Sequence, residues 1–118
     1  MSGFRRTGAR VLGAALALLL LAPGGSAFAQ ADATVDMKNL AFAPLEVHIA
    51  PGQTVMWMNS DPLQHTVTAD DASFDSGLID PGGTFSQSFD GPGTYQYYCT
   101  PHGSAGLHGM SATIIVDG

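Results

Sequence analysis

A single cysteine, Cys99, stands among 118 residues, so no disulfide can form within the chain and a small fold must rely on its core or on a metal. Basic residues are nearly as scarce. Three of the four are Arg5, Arg6 and Arg10, and beyond them only Lys38 accompanies ten acids. From residue 30 onward the formal charge is therefore minus nine, which makes nucleic acid and anionic membrane surfaces poor partners. Sustained helical periodicity is missing after Ala29. No membrane-length apolar run occurs either: Val11 to Ala22 gives twelve residues against the roughly 18 that a bilayer needs.

That run follows the three arginines and precedes Ala27-Phe28-Ala29, the order of a cleaved export signal. Cleavage is expected after Ala29, which makes residues 1–29 a signal peptide and residues 30–118 one domain in the periplasm or outside the cell. Gly8 and Ala9 follow Arg5-Arg6 where the twin-arginine route uses apolar bulk, which favours general secretion. No lipid-attachment cysteine lies near the cleavage site, so the mature chain is expected to be free of the membrane. Its 89 residues suffice for one small domain burying roughly 60 to 65% of its unfolded surface.

What the chain does contain is a succession of short β-branched and aromatic runs separated by Gly, Pro, Asn and Asp. Strands are expected near residues 33–37, 45–49, 54–59, 66–69, 84–89, 94–99 and 112–116, with a short strand or irregular edge at 74–79. Turn chemistry separates them at Ala50-Pro51-Gly52, Asp80-Pro81-Gly82-Gly83 and Asp90-Gly91-Pro92-Gly93. Seven or eight strands in so short a chain predict an all-β sandwich of two sheets, since a single sheet would leave one apolar face in water. Alternation puts Val55, Trp57 and Asn59 on one face and Met56 and Met58 on the other, all as packing residues apart from Asn59. It also turns Tyr95, Tyr97 and Cys99 inward.

Cys99 opens the segment Cys99-Thr100-Pro101-His102, Met110 follows eleven positions after the sulfur, and His65 lies upstream in Gln64-His65-Thr66. Thiolate and thioether favour Cu(I) whereas imidazole also suits Cu(II), so this mixed set holds both oxidation states and suits one type 1 copper ion. A structural zinc site would need four Cys or His donors. His108 is a rival for the axial position, but as an exposed loop residue it is expected to stay free. A strong extra nitrogen would also drive the centre toward tetragonal Cu(II). His48, in Glu46-Val47-His48-Ile49, faces away from Val47 and Ile49 and reads as a surface residue.

Beyond these donors, Phe42-Ala43-Pro44, Pro51-Gly52-Gln53-Thr54-Val55-Met56-Trp57-Met58-Asn59, His65-Thr66-Val67, Phe74-Asp75-Ser76-Gly77 and Gly93 to His102 resemble the cupredoxins, the small blue copper proteins that include plastocyanin, amicyanin, pseudoazurin and halocyanin. The resemblance implies a Greek-key sandwich in which His65, Cys99 and His102 bind copper in a near-trigonal plane with a methionine on the axis. It further implies cross-loop hydrogen bonds from Thr66 and Thr100. Plastocyanin-like loops place that methionine where this chain has Leu107, eight residues after the cysteine. Met110 to Val116 resembles the family's closing strand, which makes Met110 the expected axial ligand of a longer loop.

The implied activity is one-electron transfer, not enzymatic turnover, between a protein donor and a protein acceptor. Such partners would be basic, or would dock on an apolar patch around His102, and the carrier is expected to be a monomer. Copper storage or delivery is the alternative. A copper oxidase or nitrite reductase would need more ligands than His48 and His108 supply, and a metal-free adhesion sandwich would bind no copper.

Overall fold

Hydrophobic alternation in the central strand sets the frame of the domain. In β4 (Gln53–Asn59), Val55, Trp57 and Asn59 are fully buried, while Met58 is 37% exposed and Met56 half-buried. The two methionines lie on the opposite face as expected, but of the two expected packing residues only Met56 is half-buried, and Met58 is exposed to solvent on the outer face of the sheet. The computed structural model describes residues 30–118; the expected export signal at 1–29 falls outside the described residues.

Eight strands and no helix occur among the described residues. The others are β1 (Ala33–Lys38), β2 (Ala41–Ala43), β3 (Glu46–Ile49), β5 (Thr68–Ala69), β6 (Thr84–Phe89), β7 (Gly93–Ser104) and β8 (His108–Val116). They form two four-stranded sheets, ordered β2-β1-β4-β6 and β3-β8-β7-β5. Both sheets are mixed. β1 runs parallel to β4 and β3 parallel to β8, while the remaining neighbours are antiparallel.

The inner faces meet on an aromatic core. Tyr97 of β7 stands edge-on to Trp57 of β4 with ring centroids 5.4 Å apart, and edge-on to Phe42 of β2 at 4.7 Å. Edge-to-face pairing is the geometry that ring quadrupoles favour. Val35, Met37, Val67 and Ile114 complete the centre, each without exposed surface. Cys99, two positions beyond Tyr97 on the same face, is also fully buried, so strand periodicity alone carries the sulfur to the end of this core.

Three expected strands, β5, β7 and β8, differ in extent, whereas 74–79 takes one of its two expected forms. β5 covers only residues 68–69 because Thr66 and Val67 spend their backbone amides on the Cys99 sulfur and the Ser76 hydroxyl. The region 74–79 is an irregular edge, joined to its neighbours by bridges between His65 and Ile79 and between Thr68 and Asp75. β7 and β8 run beyond their expected ends and form a two-stranded ribbon, pairing Gly103 with Gly109 and Ser104 with His108. At its tip the Gly106 N–H donates to Asp70 Oδ2 at 2.9 Å.

Candidate metal centre

The two long strands do not pair continuously. Tyr98 faces Ser111, and pairing resumes only at Gly103 with Gly109. Four residues of β7, Cys99 to His102, thus oppose one residue of β8, Met110. A bulge bends its strand and re-aims side chains. This one contains two of the sequence-derived donors and faces a third.

His65 reaches the same place from the other side, on the connection between β4 and β5. Its backbone is clamped to Ile79, donating at 3.2 Å and accepting at 2.7 Å. Its ring is wholly buried. Nδ1 lies 3.6 Å from the Cys99 sulfur and 3.2 Å from Nδ1 of His102, which itself lies 3.4 Å from the sulfur. Donors bonded at about 2.0 Å through nitrogen and 2.3 Å through sulfur in a trigonal plane would be roughly 3.5 to 3.8 Å apart. The triangle is slightly contracted from that size, so the residues present fit one ion of copper.

The three residues differ in access. His65 and Cys99 are buried, whereas His102 is half-buried. Burial pushes the Cys99 thiol upward, and the backbone N–H groups of Thr66 and His102 pull against that shift. The Thr66 amide donates to the sulfur at 3.3 Å. A bound metal ion would hold the sulfur as thiolate, and the same amide would donate to that thiolate.

Contacts around the donors tie the two loops together. The Thr100 N–H donates to Thr66 Oγ1 at 2.9 Å, and the two hydroxyls lie 3.4 Å apart. Thr66 also bonds Thr68 at 2.9 Å. The cross-loop hydrogen bonds implied by Thr66 and Thr100 are therefore present. Met110 is buried at 3% exposure, opposite the bulge, while His108 is exposed on the ribbon and stands outside the donor cluster. His48 is likewise separate, at the surface 3.2 Å from Asp117.

One residue of the site escaped the sequence reading. Asp61, with 8% exposure, places Oδ2 2.8 Å from His65 Nε2. Its carboxyl is held below the usual carboxylate range by the N–H of Leu40, and further by His65 and the N–H of Asn39, against the upward pull of burial. A carboxylate at Nε2 assigns the ring proton to that nitrogen and leaves Nδ1 with a free lone pair toward the sulfur. The available signal was an acid four residues before a candidate ligand, which many unrelated loops share.

Comparison with known proteins agrees with this geometry. Residues 29–117 match the family described as copper binding proteins, plastocyanin/azurin family. The chain is 31% identical to a chloroplastic plastocyanin of Physcomitrium patens, across 90% of this chain and 68% of that protein. It is 36% identical to the chloroplastic plastocyanin of Hordeum vulgare, across 91% and 75%. Among solved structures, a Cu(I) form of an amicyanin mutant superposes with a TM-score of 0.63 at 26% identity, covering 72% of this chain and 82% of that one. A purple cupredoxin from Nitrosopumilus maritimus gives 0.61 at 25% identity, covering 73% and 100%.

Proposed function

Because this chain belongs to the plastocyanin/azurin family of copper-binding proteins, we propose that it is an exported one-electron carrier whose copper is held by His65, Cys99, His102 and, on the axis, Met110. The observation that carries the reading is the triangle of Nδ1, Nδ1 and Sγ, with edges of 3.2 to 3.6 Å, in a wall of hydrogen bonds that does not depend on the ion. Bound copper supplies the Cu(II)/Cu(I) couple. The protein's part is to present one unchanging donor set to both oxidation states. Thr66, Thr100 and Asp61 do so by fixing the sulfur loop and the buried imidazole from outside.

The route for the electron follows from exposure. His102 is the half-buried member of the triangle, so its ring edge is the shortest way from the buried sulfur to a partner. Leu45 and Leu107, which are 65% and 47% exposed, line one shallow surface pocket with Gly109 and Ser111. Apolar surface along β8 and the ribbon tip suits brief docking, and redox encounters use small interfaces that separate quickly. A donor and an acceptor protein are the partners of this reading, and residues 1–29 are its export signal.

Copper-loaded protein should show an intense visible band that bleaches reversibly on one-electron reduction, with the metal retained through repeated cycles. Ready loss of copper to an acceptor would instead mark a delivery protein. Cys99→Ala removes the thiolate and should abolish the band. A band of unchanged intensity in that variant would overturn the site.

A further inference from the structure

Asp61 stands four residues before His65 with both carboxylate oxygens occupied. Oδ1 accepts the Asn39 N–H at 2.7 Å, and Oδ2 accepts the Leu40 N–H at 2.9 Å beside its 2.8 Å contact with His65 Nε2. A carboxylate buried without such partners is strongly disfavoured. The Asp61 N–H donates to Asn59 Oδ1 at 2.9 Å, and Asn59 Nδ2 donates to the carbonyls of Leu63 and Ile79 at 2.9 and 3.0 Å. The acid is thus held between the turn at 39–40 and its own segment 59–65, which Asn59 anchors to Ile79.

The grip from β1 and β2 has a recognisable backbone cause. Asn39 and Leu40 have φ of 57° and 58°, the paired left-handed residues of a two-residue hairpin turn. Successive amides in a turn form a concavity that holds an anion. Leucine is uncommon in this region of backbone space. At this turn the conformation aims two amides at one carboxylate, and the carboxylate is aimed at the histidine.

Resting on the assignment of His65 as a copper ligand, we propose that Asp61 is a positioning residue of the centre. It accepts the Nε2 proton of His65, fixes Nδ1 as the metal-facing nitrogen, and makes this imidazole a stronger donor to Cu(II). Its charge acts in the same direction as the ring's basicity, because both favour the more positive oxidation state. The hairpin turn is then part of the metal centre, although none of its residues reaches the metal.

The experiment compares the reduction potential and visible spectrum of the copper-loaded wild type with those of Asp61→Asn and Asp61→Ser. Serine is the second variant because its small neutral side chain leaves room for water at the Asn39 and Leu40 amides, where the asparagine amide can meet them donor to donor. Loss of a carboxylate behind a ligating histidine typically costs 10–100-fold in metal affinity. A tenfold loss of preference for Cu(II) over Cu(I) raises the potential by about 59 mV, and a rise of that order is the expected result in both variants. A potential that is unchanged or lowered in the folded variants, with the wild type still blue, overturns the role of Asp61 and leaves the copper site standing. A wild type that shows no blue band overturns the site itself.

A second readout needs no variant. In the zinc-loaded, diamagnetic protein the His65 Nε2 proton should be visible by nitrogen-correlated NMR and exchange slowly with water. A ring protonated at Nδ1, or an Nε2 proton lost at the rate of a free imidazole, would overturn the proposal even if neither variant folded.

Discussion

At the bulge Met110 is the only residue of β8 that faces Cys99 to His102, and its thioether is soft, weak and replaceable in volume. Leucine at this position fills nearly the same space, so the fold should lose less than about 1.5 kcal/mol. Met110→Leu should therefore stay blue while its reduction potential rises, because Cu(I) is satisfied by three donors whereas Cu(II) gains from a fourth, and this loss of coordination number outweighs the softness of the thioether. Unchanged spectrum and potential, measured together, would place the axial donor elsewhere. The donors themselves were legible in the sequence for a plain reason: a lone cysteine with histidine three residues later, in a chain with four histidines, leaves few rival sets. Asp61 was not legible. Its role depends on Asn39 and Leu40, more than twenty positions away, and on a turn conformation that asparagine suits but leucine does not advertise.

Among the elements, the ribbon of β7 and β8 carries the strongest constraint on how the donors are presented. A Cβ placed on Gly103 would lie 2.6 Å from the His108 carbonyl oxygen and 2.7 and 2.8 Å from the backbone oxygen and nitrogen of Met110. All three atoms are backbone, so no side chain can move aside. Gly103→Ala must push apart the two strands that hold Cys99, His102 and Met110. Overpacking of this sort costs about 1–3 kcal/mol, and for a domain of this size each kcal/mol lowers the melting temperature by roughly 4 to 8 °C. Calorimetry of the apo protein should show that loss, and the copper-loaded variant should have a displaced or weakened visible band. An unaltered melting temperature would mean that the strands are not in such close contact. Sequence patterning found the body of these strands but not their ends, because Pro101, Gly103, Gly106 and Gly109 read as loop punctuation whereas here they line a bulge and a tight ribbon. It missed β2 for the opposite reason. Ala41 to Ala43 is too short to show alternation, and the turn before it has no glycine.

Over the whole molecule, exposed apolar side chains and a large excess of acids share the surface. Leu45 and Leu107 are exposed beside the β7–β8 ribbon, yet the described domain carries ten acids against Lys38. The acids are distributed along both sheets and their turns, so their effect on a partner is a long-range field and not a set of specific contacts. Such a field raises encounter rates with positively charged molecules and lowers them with negative ones. Raising ionic strength from 0.01 M to 0.15 M shortens the Debye length from about 30 Å to about 8 Å, which removes most of the field between exposed charges. Oxidation of the reduced protein by a cationic metal complex should therefore slow on adding salt, by about tenfold given the range of electrostatic steering. Oxidation by an anionic complex of similar potential should accelerate over the same range. Stopped-flow rates with the two oxidants separate the field from the docking surface, since an apolar contact around His102 would respond to neither sign of charge. Equal salt dependence for both would mean that the acids serve solubility alone and that partners are selected at the leucines.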